Sequence, residues 1–130
     1  MASPAQDVAD FVYNLYGPPK KFVNQTTLKQ MLNFHYLNTG DFPAWYGIGT
    51  MLLKFHWSNS TYFTDFVGHG GATYGFYAMS GYHFQYDFSL VLGTNMEYPV
   101  FQENLFDVQN SIYNLTLAVM ARAKVRGLGQ

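Results

Sequence analysis

The stretch that decides the fold runs from residue 62 to residue 94 and reads YFTDFVGHGGATYGFYAMSGYHFQYDFSLVLGT. It is rich in aromatic and β-branched residues, which favour strands, and glycines divide it. We predict one strand over residues 62–69, ended by Gly70 and Gly71, and another over residues 73–82. Residues 88–94 form a nearly continuous apolar run, which predicts a central strand buried on both faces.

Two helices and one more strand are predicted on the N-terminal side of this stretch. Ser3 as the N-cap and Pro4 at the first helical position are typical of a helix start, and Gly17-Pro18-Pro19 stops the helical pattern that follows. A short second helix is predicted over residues 27–34. After a loop dense in turn formers, residues 46–55 are predicted to form the first strand.

The C-terminal part is predicted to be a long amphipathic helix over residues 100–123, because its apolar residues recur at helical spacing. Short connections between the strands favour antiparallel pairing. The predicted fold class is therefore α+β: an antiparallel sheet of about four strands, with N-terminal helices and the long C-terminal helix packed on it. We expect residues 1–123 to form a single domain and residues 124–130 to be a frayed tail.

Composition narrows the function classes. The chain has 130 residues and a net charge of −1, which argues against binding of the nucleic-acid phosphate backbone as its main activity. It has no cysteine, which excludes disulfides and thiolate chemistry. We expect no membrane span, since no apolar run approaches about 18 residues. Only 12% of the residues are charged, against about 25% in ordinary domains, so either the surface is unusually rich in neutral polar residues or part of it is covered by a partner.

Nucleophile and metal patterns are missing from the chain. No serine is followed by lysine three residues later, and Gly-x-Ser-x-Gly does not occur. The four histidines are widely separated, so we expect neither a metal nor a cofactor. His69 differs from the others because Gly70 and Gly71 follow it and leave room for a ligand to approach the backbone. The alternative is a tight hairpin turn at the two glycines.

Aromatic residues leave a second choice open. They could form a platform on which sugars stack, or they could pack across strands in the core, which is more common. The residues concerned are Tyr74, Phe76, Tyr77, Tyr82, Phe84 and Tyr86.

The segment GHGGATYGF at residues 68–76, followed by a strand, a turn and SLVLGTN at residues 89–95, resembles the C-terminal part of the serine β-lactamase-like family. That family includes class C β-lactamases, D-Ala-D-Ala carboxypeptidases and esterases. Upstream, residues 3–11, TGD at 39–41 and YGIG at 46–49 are similar to further family features, so the resemblance covers nearly the whole chain. It implies an extracytoplasmic or secreted protein.

The resemblance also implies roles for individual residues. His69-Gly70-Gly71 stands where the family has Lys-Thr-Gly or His-Thr-Gly, its third motif. His69 would polarise the hydrogen bonds of the nucleophile or meet a substrate carboxylate, and the backbone N–H of Ala72 would belong to the oxyanion hole. The implied substrate-binding residues are Gly70, Gly71, Thr73 and Asn95. Histidine in place of lysine favours the peptidase or esterase branch, and MEYPV at residues 96–100 argues against β-lactam recognition.

The resemblance has one large gap, the nucleophile. Ser-x-x-Lys is absent, and Tyr36-Leu37-Asn38 fits the family's Tyr-x-Asn only at a position too late in the family's order. We therefore expect the C-terminal portion of a hydrolase that is inactive alone. Its partner would be the remainder of the catalytic domain or another covering partner, and the complete site would take an acyl or peptide-like substrate. The alternatives are a non-catalytic binding or structural module derived from that fold, and an aromatic-rich sugar-binding module.

Overall fold

The computed structural model describes residues 3–19, 21–38, 44–56, 63–73, 75–95 and 118. These ranges contain two helices and six strands. The helices are α1, Ala5–Tyr16, and α2, Gln25–Met31. The strands are β1 His35–Leu37, β2 Ala44–Tyr46, β3 Met51–His56, β4 Phe63–Thr73, β5 Phe76–His83 and β6 Phe88–Thr94.

All six strands belong to one antiparallel sheet in the order β1-β2-β3-β4-β5-β6. β4 is an inner strand of 11 residues and pairs with a different neighbour on each side. Its pairing with β3 ends at Gly68, opposite Met51, whereas its pairing with β5 runs from Val67 to Thr73. β4 therefore extends past the end of β3, and residues 69–73 are paired on one side only among the described strands.

The predicted fold class is wrong. The sheet has six strands instead of about four, and the described residues are mostly strand. The strand predicted over residues 46–55 is in fact part of a hairpin, because the turn closed by Gly47 N–H and the Thr50 carbonyl separates β2 from β3. The long helix predicted over residues 100–123 and the tail at 124–130 lie outside the described residues, except Ala118, which is helical.

Gly70 and Gly71 do not break a strand. They pair in register with Met79 and Ala78, so β4 continues through them. The ladder to β5 holds the backbone there and offsets the conformational freedom that glycine loses. Gly75, with φ of 90°, lies at the reversal into β5.

β6 was predicted as a central strand, but it is the outermost described strand of the sheet. Its residues are mostly half-buried, and only Phe88 is buried.

Both helices have identifiable ends. The predicted serine cap of α1 is wrong, since Pro4 occupies the N-cap and no side chain caps the helix. Gly17 ends α1, as predicted. α2 begins earlier than predicted because the Asn24 side chain accepts a hydrogen bond from the Thr27 N–H at 2.8 Å. Neither described helix has the length and apolar character needed to cross a membrane.

Each face of the sheet has its own core. Successive strand residues point to opposite faces, so the adjacent buried residues Phe66 and Val67 enter different cores. Val67 joins the core under the helices, with Val12, Tyr16, Leu28 and Tyr82. Phe66 joins the other core, with Met79 and Phe88.

Candidate functional site

The predicted site residues lie together at one end of β4, β5 and β6. His69, Gly71 and Thr73 alternate with Gly70 and Ala72 along β4, so the two sets belong to opposite faces. Ala72 pairs with Tyr77, and Tyr77 pairs with Thr94 on β6. Asn95 follows Thr94 directly, so the same end of the sheet contains all six residues.

The outer edge of β4 is open at this end. Residues 69–73 pair with β5, but β3 stops opposite Gly68. In an antiparallel ladder, part of each strand's backbone N–H and C=O groups points to each side. The edge of residues 69–73 that faces away from β5 therefore presents backbone groups to which no described strand is paired. An extended ligand could hydrogen-bond there.

His69 is exposed, and both of its ring nitrogens contact protein atoms. Nδ1 lies 2.7 Å from the carbonyl oxygen of Gly70, and Nε2 makes a hydrogen bond with the hydroxyl of Tyr46. The two rings meet edge to face, with centroids 5.5 Å apart and planes at 82°. In the β4–β5 ladder, His69 pairs with Ser80 on β5. The hydrogen bonds of its imidazole, however, are with Gly70 and Tyr46.

Tyr46 was missed as a site residue by the sequence prediction, which used it only as the first letter of YGIG. It lies on β2, where it pairs with His35 on one side and Met51 on the other. The sequence gives little sign of the contact between Tyr46 and His69, since 23 residues separate them.

The hairpin after Tyr46 rests on the end of α2. A side chain at Gly47 would overlap the carbonyl oxygen of Met31, and the Ile48 N–H donates to that same oxygen at 3.1 Å. This close approach requires glycine at position 47. The contact fixes the hairpin, and with it Tyr46, relative to the helices.

A buried hydrogen bond connects the same hairpin to α1. Thr50 is fully buried, and its Oγ1 lies 2.9 Å from the hydroxyl of Tyr16. Burial raises the pKa of the Tyr16 phenol, and the hydrogen bond with Thr50 partly lowers it. The two helices and the β2–β3 hairpin thus form one support for Tyr46.

The residues of the sheet next to His69 have small side chains or none. Among the described residues, no heavy atom other than those of the chain neighbours lies within 4 Å of the position that a Cβ would take at Gly71 or Gly93, and Ala78 lies between these two glycines in the sheet. A planar group could approach the backbone closely at this row of small residues.

The predicted aromatic set does not form one platform. Tyr82 is buried under the helices, and Tyr77 and Tyr86 pack against the core on the other face. Phe76 and Phe84 are exposed, and Tyr74 lies outside the described residues.

A different aromatic pair is exposed at the sheet edge. Tyr36 and Trp45 pair across β1 and β2, with ring centroids 5.5 Å apart and planes at 60°. Tyr36 and Asn38 are separated from β4 by β2 and β3 in the strand order. The literal Tyr-x-Asn pattern therefore begins on a strand that is not a neighbour of β4.

Among the described residues, no three His, Asp or Glu side chains are grouped so that they could hold a metal ion. Comparison of the chain with protein-family models, curated proteins and solved structures finds no match.

Proposed function

We propose that this chain is the C-terminal portion of a serine β-lactamase-like hydrolase, of the peptidase or esterase branch. It contributes the third-motif strand to a site whose nucleophile lies elsewhere. The observation that supports this most strongly is the position of His69-Gly70-Gly71 on β4. The triplet lies on an inner strand, the His69 side chain is exposed, and no described strand pairs with the β3-facing edge of residues 69–73.

The open edge suits acyl transfer. When a serine oxygen attacks a carbonyl carbon, negative charge develops on the carbonyl oxygen, and a fixed backbone N–H stabilises it. The N–H of Ala72 is the group proposed for this role. Gly70 and Gly71 have no side chains that would keep the acyl group from the strand. The Tyr46–His69 pair lies at the start of the same edge, where it could hydrogen-bond with the groups around the nucleophile.

The surface supports a covering partner. Only 12% of the residues are charged, and several large apolar side chains are exposed, including Ile48 at 66% and Phe76 at 61%. Exposed apolar area of this kind is typical of surfaces that another part of a protein covers. The partner proposed here is the nucleophile-bearing remainder of the catalytic domain, and secretion is part of the same proposal.

Sequencing the transcript that encodes the chain tests the proposal first. We expect Ser-x-x-Lys and Tyr-x-Asn in the same reading frame, upstream of residue 1. Their absence would contradict the proposal.

Labelling with a fluorophosphonate tests the chemistry. The 130-residue chain alone should remain unlabelled, whereas the longer protein should be labelled on the serine of Ser-x-x-Lys. His69→Ala should slow labelling by about 100-fold, because a positioned basic group contributes about 10²–10⁴ to rate. Tyr36→Phe, at an exposed tyrosine on β1, is the control and should label at the unchanged rate. Labelling of the short chain, or equal rates for both variants, argues against this function.

Sugar binding is the second candidate, and the exposed Tyr36–Trp45 pair is the observation that favours it. Trp57→Phe leaves Trp45 as the one tryptophan, since the chain has two. Titration with cellohexaose and chitohexaose should then change Trp45 fluorescence, and Tyr36→Ala should abolish the change. A flat titration with both sugars removes this candidate.

A further inference from the structure

The two hydrogen bonds of His69 determine where its ring proton lies. A carbonyl oxygen only accepts hydrogen bonds, so Nδ1, at 2.7 Å from the Gly70 oxygen, must be the nitrogen that donates. In a neutral imidazole the other nitrogen then has no proton and accepts. With the neutral ring in this tautomer, the Tyr46 hydroxyl donates to Nε2.

Tyr46 also fixes the orientation of the ring. The edge-to-face contact, with planes at 82°, restricts rotation of the imidazole about its side-chain bonds. Tyr46 lies on β2, on the other side of β3 from β4. It is held there by its pairing with His35 and Met51, and by the packing of Gly47 on α2. Its position is thus set by elements other than β4.

Basic side chains other than histidine are absent from β4, β5 and β6. The segment from Phe63 to Thr94, which includes β4, β5 and β6, contains no Lys or Arg. With Nδ1 donating to Gly70 and Nε2 accepting from Tyr46, the ring has no N–H left for an incoming carboxylate. The hydrogen-bonding atom that remains available at the pair is Tyr46 Oη, whose lone pairs accept.

We propose that Tyr46 is a positioning residue that holds the imidazole of His69, when the ring is neutral, in the tautomer with its proton on Nδ1. The pair then takes a neutral hydrogen-bond donor, such as the hydroxyl or amide N–H of an uncharged acyl substrate, and does not bind a substrate carboxylate. This ligand assignment rests on the hydrolase function proposed above. The tautomer assignment does not, because it concerns the chain by itself.

Nitrogen NMR of the imidazoles tests the tautomer. The 130-residue chain is labelled with ¹⁵N-histidine, and His69→Gln identifies the His69 signals among the four histidines. At pH 8 we expect His69 to show the Nδ1–H pattern, and Tyr46→Phe to shift the Nε2 resonance away from its hydrogen-bonded position. Tyr36→Phe, at an exposed tyrosine on β1, should leave the spectrum unchanged.

An Nε2–H pattern, or rapid averaging of both tautomers in the unsubstituted chain, overturns the positioning role. That spectrum decides the question even where Tyr46→Phe fails to fold.

Two small probes test the ligand class. N-acetylglycinamide should shift the His69 and backbone 69–73 resonances at a concentration at least about tenfold below that needed for N-acetylglycine, whose carboxylate is charged at pH 8. Equal responses, a stronger response to the carboxylate, or no response to either probe overturns the ligand assignment. Neither measurement depends on turnover, so failure of the hydrolase proposal, read from the transcript and the labelling, is distinguishable from failure of this one.

Discussion

Gly68 and Gly71 lie three positions apart on β4 and have opposite surroundings. A Cβ at Gly68 would overlap the Ser80 carbonyl oxygen and lie 2.6 Å from Gly81 Cα, whereas a Cβ at Gly71 would have open space around it. The first glycine is required by the close approach of β5. The second serves no packing purpose in the described structure, which agrees with a role in admitting a ligand.

Alanine at these two glycines should therefore behave differently. Gly71→Ala should change the free energy of unfolding by no more than about 0.5 kcal/mol, since the new methyl meets nothing. Gly68→Ala should lower it by roughly 2 kcal/mol, because the strands must move apart to accept the methyl. Urea unfolding of the two variants gives both values. Equal losses would show that the surroundings described here are wrong.

The sequence predicts the site residues that form a local pattern and misses the one whose role depends on a long-range contact. His69 and the two glycines after it are visible as a local pattern, so the sequence singles them out. Tyr46 is not, because its contact with His69 depends on how the β2–β3 hairpin packs on α2. Long-range placement of that kind leaves no local signal.

The strands also differ in how well the sequence predicts them. β6 was predicted with its observed bounds, because residues 88–94 form a continuous apolar run. β1 was missed because its three residues are all exposed and give no alternation of apolar and polar residues. β4 was predicted to stop at Gly70, and only its register with β5 shows why it continues. The strand count was therefore wrong although the antiparallel pairing was right.

The β2–β3 hairpin gives a prediction that joins stability to the site. Gly47→Ala should push the hairpin off the carbonyl end of α2, lower the free energy of unfolding by about 2 kcal/mol, and separate Tyr46 from His69. Urea unfolding and the imidazole spectrum of His69 measure the two effects.

Gly49→Ala in the same turn is the matched control. Gly49 has φ of 63° and open space, so alanine there should cost about 1 kcal/mol in backbone strain without moving Tyr46. The His69 spectrum should then stay as in the unsubstituted chain. If both variants change that spectrum equally, the hairpin is not what holds Tyr46.

Helices and sheet are joined by a group of tyrosines. Tyr82 on β5 contacts both Tyr13 and Tyr16 on α1, with ring centroids 6.0 Å and 6.5 Å away. Its hydroxyl donates to Asp87 Oδ1 at 2.6 Å. Burial is the largest cause that raises the pKa of Tyr82, and the hydrogen bond to Asp87 and its charge raise it further. Folding therefore depends on phenols that must stay protonated.

The packing of α1 on the sheet should consequently lose stability at alkaline pH. An unfolded tyrosine ionises near pH 10, but burial raises the pKa of Tyr16 and Tyr82 in the folded chain. Above pH 10 these tyrosines bind fewer protons in the unfolded chain than in the folded chain, so their contribution to the free energy of unfolding is constant below about pH 9 and falls as the pH rises further. Tyr16→Phe should flatten that fall by about 1 kcal/mol per pH unit, less than the ideal value because solvent screens part of the phenol.

Thr50→Val separates this titration from the hydrogen bond. It removes the same Tyr16–Thr50 contact but keeps the titrating phenol, so its stability should be lower at every pH while the alkaline slope stays at least as steep. The slope is retained because the Thr50 hydrogen bond lowers the pKa of Tyr16, and its loss lets that pKa rise. Urea unfolding from pH 7 to pH 11 measures both curves. Identical slopes for Tyr16→Phe and the unsubstituted chain would show that folding does not bury Tyr16 and raise its pKa.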